Sequence, residues 1–420
     1  MVALRIVRRA LRVVAPAVLV IALPRAALAE DPDQGGEVAG EAKASPKSDI
    51  SAPPPAPTAP SESAPVAPPA PAFTWEPFGY LRLQYKAIQN DPNVEFVGRD
   101  DGFELQNARV GMRGRLGQRA AFVISFDGAS DERAQINVPE GKLRVQLRDA
   151  YGDLLISTKL DGNAKLVNAT VVRAGFFQTW AEPEALVPDT ARDFVDRPIE
   201  SRGIRATEGF QTQGLTPGRS LGAAFRIEPQ AGVSTAPAVG VELAVQNGAD
   251  EFSSNNDNDK PAVSAAGLAR FGKDGYAVAG ARYNPRTVGD LPFRQDETDL
   301  SGSAGFRVPA GPVAIGGGLV VTHTTFGTTG GPAQNSFGAH AQLAFRAGSV
   351  SMPLTVGYRF GIIDPSSLFV TDRVMEHTVG GVVGMPRYRM RVQLQLTHVI
   401  EQAARELSNS RVQLAAELAL

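Results

Sequence analysis

The sequence predicts an all-β fold: a transmembrane antiparallel β-barrel of about 16 strands, preceded by a disordered N-terminal linker. Three observations predict it. Polar and apolar residues alternate along many segments, the period of a strand with two unlike faces. The connections between those segments are short and long by turns. Residues 73–420 contain no apolar run long enough to cross a bilayer as a helix, which needs about 20 residues.

The first 29 residues have the form of a secretory signal peptide. Arg5, Arg8, Arg9 and Arg12 precede an apolar stretch over 13–23, and Ala27-Leu28-Ala29 supplies a small-x-small cleavage pattern. That stretch holds Pro16 and is too short to serve as a membrane anchor. Residues 30–72 are rich in Pro, Ala, Ser and Glu and carry no aromatic residue, so they have too little apolar surface to offset the entropy of ordering. Runs such as Pro53-Pro54-Pro55 favour an extended spacer, expected on the periplasmic side. The domain proper is 73–420.

Composition narrows the function. The chain carries −2, and removing residues 1–29, with five arginines and no acid, leaves −7. A net-acidic chain is a poor nucleic-acid binder, so attraction for anions has to be local. Cysteine is absent, which excludes disulfides and thiolate metal sites and suits an oxidising compartment.

The alternation is clear over 103–116, where Gln106, Ala108, Val110, Met112, Gly114 and Leu116 share one face and Asn107, Arg109, Gly111, Arg113 and Arg115 the other. It recurs over 143–148 and over 387–398, where Arg387, Arg389 and Arg391 oppose Tyr388, Met390 and Val392. A soluble sandwich would show shorter strands, averaging about 5–6 residues, and mixed lysine and glutamate on its wet face. In a membrane barrel one face meets lipid and the other a polar lumen.

Strands are expected at 78–88, 103–116, 119–127, 143–156, 167–176, 218–228, 237–246, 262–272, 276–284, 297–308, 312–325, 336–347, 351–362, 374–384, 387–400 and 409–420. Tight turns such as Gly117-Gln118, Lys273-Asp274-Gly275, Pro309-Ala310-Gly311 and Met385-Pro386 all fall at even-numbered connections. Long connections fall at odd-numbered ones, the order of an outer-membrane barrel with both ends periplasmic. Counting 203–210 as a strand would break that order, so it belongs to the third loop or to the mouth of the sixth strand.

The third loop, 177–217, is the longest connection. Its Trp180, Leu186, Val187 and Phe194 would lack partners on a cell surface, whereas inside the barrel they would be buried and would narrow the lumen. Trp180, Arg192, Phe194 and Arg197 are its candidate constriction residues. Arginine outnumbers lysine 34 to 8. Arg109, Arg113, Arg115, Arg144, Arg148 and Arg173 fall on the expected lumen parity, as do Arg387, Arg389 and Arg391 on the fifteenth strand. The planar donor fork of arginine suits anions and phosphate. The same arginines could instead pair with loop carboxylates such as Glu182, Glu184, Asp189, Asp193 and Asp196 and pin the loop, and both roles can hold together.

The segment 103–200 resembles the phosphate-selective porin O and P family. The likeness lies in Phe103-Glu104-Leu105-Gln106-Asn107-Ala108-Arg109-Val110-Gly111, Leu147-Arg148-Asp149-Ala150-Tyr151, Arg173-Ala174-Gly175-Phe176-Phe177-Gln178, Glu182-Pro183 and Phe194-Val195-Asp196-Arg197. Arg202-Gly203-Ile204-Arg205 and Val245-Gln246-Asn247-Gly248 extend it to about residue 260. The resemblance implies a sixteen-stranded, trimeric porin of the Gram-negative outer membrane that passes small anionic or polar solutes by diffusion. The chain departs from the family in its few lysines, its net acidity and the non-aromatic terminus Leu418-Ala419-Leu420.

No cofactor is expected. His323, His340, His377 and His398 show no metal-binding spacing, and no nucleophile is singled out. The acidic run Asp250-Glu251 to Asp257-Asn258-Asp259 lacks the spacing of a calcium loop and is expected to be a solvated external loop. Expected partners are solutes, outer-membrane lipid and lipopolysaccharide. The alternatives are a structural barrel tethering the envelope and a barrel enzyme.

Overall fold

The computed structural model describes residues 72–420 apart from 100, 118, 132–142, 161–165, 206, 230–237, 249–257, 273, 289–291, 293, 328–330 and 403–405. The predicted signal peptide, the linker up to residue 71 and most of the acidic run lie outside the described residues.

Sixteen strands form one closed antiparallel sheet, each paired with its neighbour in sequence. They are β1 Phe73–Ile88, β2 Gly102–Leu116, β3 Ala120–Asp131, β4 Leu143–Leu160, β5 Leu166–Gln178, β6 Arg219–Pro229, β7 Ala238–Gln246 and β8 Ala262–Phe271. The second half is β9 Gly275–Val288, β10 Gln295–Ala310, β11 Val313–Phe326, β12 Gln334–Ser349, β13 Met352–Asp364, β14 Arg373–Met385, β15 Met390–Gln402 and β16 Arg411–Ala419. Pairing of β1 with β16, from Tyr80 opposite Ala419 to Ile88 opposite Arg411, closes the ring and leaves no free edge. Every segment expected as a strand is one, and several run longer. β1 begins at Phe73, and β4 with β5 shortens the expected connection 157–166 to 161–165.

The faces are inverted relative to a soluble protein. On β16, Arg411, Gln413 and Glu417 are buried while Val412, Leu414 and Leu418 are exposed. On β7, Glu242 and Gln246 are buried while Val239, Val241, Leu243 and Val245 are exposed. An apolar outer wall around a polar interior is stable only where the outside is hydrocarbon. Aromatic pairs mark both ends of the outer wall: Phe73 stacks on Phe122 at 6.1 Å, and Tyr85 meets Phe103 edge-on at 5.2 Å.

Two bulges refine the face assignment. The β1–β2 register slips between Arg82 and Leu83, which leaves Gln106 as the extra residue. Gln106, expected on the apolar face, turns inward and bonds Arg82 and Asp196 at 3.5 and 3.4 Å. A second slip between Ser125 and Phe126 makes Arg148 the extra residue of β4, so that Arg148 and Asp149 both face the interior.

The short connections share one end of the barrel. At the β14–β15 turn Pro386 lacks an N–H for the ladder and opens a 3-10 turn over Pro386–Tyr388. Arg389 then takes φ +51°. This corrects the expectation for Arg387 and Arg389, which sit exposed in the turn rather than on the fifteenth strand; Arg391 alone of the three is on β15.

Candidate functional site

The connection from β5 to β6, residues 179–218, lies inside the barrel, as its contacts with inward-facing wall residues show. It contains two 3-10 turns, Pro183–Leu186 and Asp189–Ala191, and one helical turn, α1 (Ile199–Arg202). Three apolar side chains seat it. Trp180, 7% exposed, packs with Leu186 and Val187 on Ala266 and Leu268 of β8 and on Tyr276 and Val278 of β9. Its backbone N–H donates to Glu242 at 2.6 Å, and the Arg226 guanidinium lies 5.3 Å from its ring. Phe194, 3% exposed, fits where the wall has no side chain: a Cβ at Gly357 or Gly380 would stand 3.0 or 3.1 Å from its ring. Arg359 covers the ring at 4.6 Å. Ile199, 1% exposed, joins Ile204, Leu215, Ile363, Val374 and Val399. Burial of each such side chain is worth roughly 1.5–3 kcal/mol.

After α1 the chain reverses at Gly203, φ +70°, where a Cβ would meet the Thr212 carbonyl at 2.3 Å. Ile204 and Thr212 then form an isolated antiparallel bridge. The segment 203–210 therefore belongs to the loop and is no wall strand, which preserves the short-long order of connections.

Between these seats the loop is held by charge. Tyr80 donates to Asp189 at 3.0 Å, and Arg82 and Arg391 donate to the Asp189 carbonyl at 2.9 and 2.8 Å. Arg359 reaches the Asp196 carbonyl at 3.0 Å, and Gln395 accepts from Val195 N–H at 3.0 Å. Arg307 pairs with Asp193 at 2.6 Å, and buried His340 bonds Glu200. Loop carboxylates thus pin the loop as one of the two expected roles required. Four wall arginines outside the stacked sets of the sequence also hold the loop: Arg307 and Arg411 meet its carboxylates Asp193 and Asp196, and Arg82 and Arg359 donate to its backbone carbonyls. Alternation marks three of them, because Arg82 lies between Leu81 and Leu83, Arg307 between Phe306 and Val308 and Arg359 between Tyr358 and Phe360, whereas Arg411 follows Ser410.

A polar cavity of about 200 Å³ lies between the loop and the wall of β1, β2 and β4. Six arginines line it, Arg82, Arg148, Arg192, Arg197, Arg202 and Arg205, against three carboxylates, Asp189, Asp196 and Glu208. The carboxylates around it are shared. Asp189 faces Arg192 at 2.8 Å, Arg197 at 3.5 Å and Arg109 at 3.6 Å. Glu417 serves both Arg82 and Arg391, and Glu376 serves Arg202 and Arg411. Burial alone would raise the Asp189 pKa, but Arg192, Arg197, Arg148 and Arg109 outweigh it and hold the carboxyl well below its usual range. Glu208 is likewise well below, burial being overcome by Arg202, Arg411, Lys86 and Arg205. The buried Nε atoms of Arg192 and Arg202 have no hydrogen-bond acceptor among the described residues, and Glu184 stands 3.8 Å from Arg192 Nε.

Of the expected wall residues, Arg148 lines this cavity, while Arg109 and Arg391 adjoin it. Arg173 is spent elsewhere: it bonds Asp153 at 2.7 and 2.8 Å and stacks 3.8 Å over Tyr151. Arg113 is exposed near the short-turn end in a two-bond pair with Glu76, and Arg115 is exposed beside it. Arg144 stands opposite Ser130 on β4, its side chain outside the described residues. All four expected constriction residues, Trp180, Arg192, Phe194 and Arg197, lie in the inserted loop, two as seats and two in the cavity.

No protein-family model and no curated protein matches the sequence. Solved structures share the fold at low identity. OmpT of Vibrio cholerae in its trimer form, an outer membrane protein, matches at TM-score 0.53 and 11% identity over 83% of this chain and 100% of its own. The outer membrane channel DcaP of Acinetobacter baumannii matches at 0.53 and 12% over 83% and 98%. An anion-selective porin from Comamonas acidovorans matches at 0.52 and 14% over 83% and 100%. At these identities the likeness establishes the barrel.

Proposed function

We propose that the chain is a porin of a Gram-negative outer membrane, passing small solutes by diffusion and favouring anions, phosphate among them. Both chain ends would then be periplasmic and the long loops external. One observation carries the preference for anions: six arginines face three carboxylates on the lining of the cavity beside the third loop, and Asp189 on the lining, with Glu417 and Glu376 nearby, is shared by two or more arginines. Such an excess raises the local anion concentration although the mature chain is acidic. Two structural neighbours, an outer membrane channel and an anion-selective porin, agree with this, and the trimer form of a third supports proposing a homotrimer.

A second reading has its own support: the third loop touches wall strands around most of the ring, from Arg82 on β1 to Arg391 on β15, as a plug would. Purified protein in planar bilayers separates the two. Discrete current steps with an anion-favouring reversal potential in a salt gradient are expected. A silent barrel would favour the plugged, structural role.

A further inference from the structure

Three of the four histidines stand on the outer wall. His377 of β14 is directly opposite His398 of β15, on the face that carries exposed Val379 and Leu396. Each imidazole is held through Nδ1 by a hydroxyl. Tyr358 Oη on β13 lies 2.7 Å from His377 Nδ1, and Ser410 Oγ lies 3.0 Å from His398 Nδ1. The rings are thereby drawn apart, His377 toward β13, where its ring lies 5.1 Å from Phe360, and His398 toward Ser410. That divergence disfavours one metal ion shared between them. When the hydroxyls donate into Nδ1, each Nε2 carries the hydrogen and presents it as an outward donor. No described residue bonds either Nε2.

Depth gives these donors a meaning. With a rise of about 3.4 Å per residue and a tilt of about 40°, His377 and His398 stand roughly 21 Å above the short-turn end, at the upper edge of an apolar band about 25 Å tall. His323, 2.9 Å from Asn335, stands roughly 26 Å up on β11 by the same geometry. Imidazoles facing hydrocarbon are costly unless a polar partner meets them, and headgroups begin at this height. Their neighbours on the face, Phe360, Val379 and Leu396, are uncharged. The nearest charges on this face, Arg373 and Asp364, pair with each other at 2.9 Å near the rim, four residues further along their strands. Among the described residues no carboxylate stands beside the imidazoles to repel an anion.

We propose that His377 and His398, oriented by Tyr358 and Ser410, bind the phosphate of a phosphorylated lipid headgroup in the outer leaflet. This rests on the outer-membrane orientation given above. The test uses the folded chain in detergent, with lipids counted by native mass spectrometry. Diphosphorylated lipid A is compared with its dephosphorylated form and with inorganic phosphate, for the native protein and for His377→Gln with His398→Gln. The expected result is retention of the phosphorylated lipid at least fivefold above the dephosphorylated one, lost in the double variant. Equal retention of both lipids, full retention by the variant, or displacement of the lipid by inorganic phosphate overturns the site. Tyr358→Phe with Ser410→Ala, which leaves the wall apolar and intact, should give a partial loss; if it gives none while the double variant fails to fold, the site is also overturned. Current recorded from the same preparations keeps the two claims apart, because a conducting barrel that ignores the phosphate ends only this one.

Discussion

The third loop holds two kinds of contact with the wall, and they differ in what each controls. Its apolar seats, Trp180 on β8–β9 and Ile199 on β13–β15, bury their side chains in clusters of apolar wall residues. Its middle, from Asp189 to Arg197, meets arginines from β1, β10, β13 and β15. The apolar seats decide where the loop lies; the charged span decides what the space beside it attracts. Position and selectivity should therefore change separately.

The largest effect is expected from emptying a seat. Trp180→Ala removes a buried indole, a loss of about 3–5 kcal/mol for a large aromatic in a well-packed site. Urea unfolding in lipid vesicles should show it, and single-channel conductance should rise severalfold as the loop leaves the wall. An unchanged conductance would mean that the charged span alone fixes the loop. Next in size is Gly357→Val, which fills the space against Phe194 and should displace the ring, costing about 1–3 kcal/mol by overpacking; conductance and unfolding read it together.

Acid provides a third way to separate the two regions. Asp189 and Glu208 have folded pKa values depressed by surrounding arginines. A depressed carboxylate contributes stability that is present above its unfolded pKa, about 3.9 for Asp and 4.3 for Glu, and is lost only as pH falls through the lower folded value. The reversal potential should accordingly stay flat from pH 7 to about 5. A drift toward stronger anion preference over that interval would show that a carboxylate beside the cavity is raised above its ordinary range and not held below it. The smallest effect belongs to the rim: Glu76→Gln breaks an exposed pair with Arg113 and should leave both Tm and selectivity unchanged.

The fold was legible because its signal repeats. Alternation such as Val412-Gln413-Leu414 is local, and the order of turns follows from Gly, Pro and Asp at fixed places. The third loop was legible in outline, because Trp180 and Phe194 needed burial. Their seats were not, since Leu268, Tyr276, Gly357 and Gly380 are distant in sequence and become one surface only when the sheet closes. Strict parity also misplaced residues where backbone chemistry interrupts it. Bulges turned Gln106 and Asp149 inward, and Pro386 took Arg387 and Arg389 out of the wall. The lumen arginines Arg82, Arg359 and Arg411, which hold the loop, also occupy inward positions but occur singly, so no stacking along a strand marks them.

The central claim is that unbalanced arginines beside the loop set the preference for anions. It is tested most directly by the reversal potential in a tenfold salt gradient for the native chain and for Arg148→Gln with Arg192→Gln, which lowers the arginines lining the cavity from six to four against three carboxylates. The account predicts a clear shift toward zero selectivity, with unfolding in urea showing that the barrel is still closed. An unchanged potential, or a native channel that already prefers cations, would contradict it.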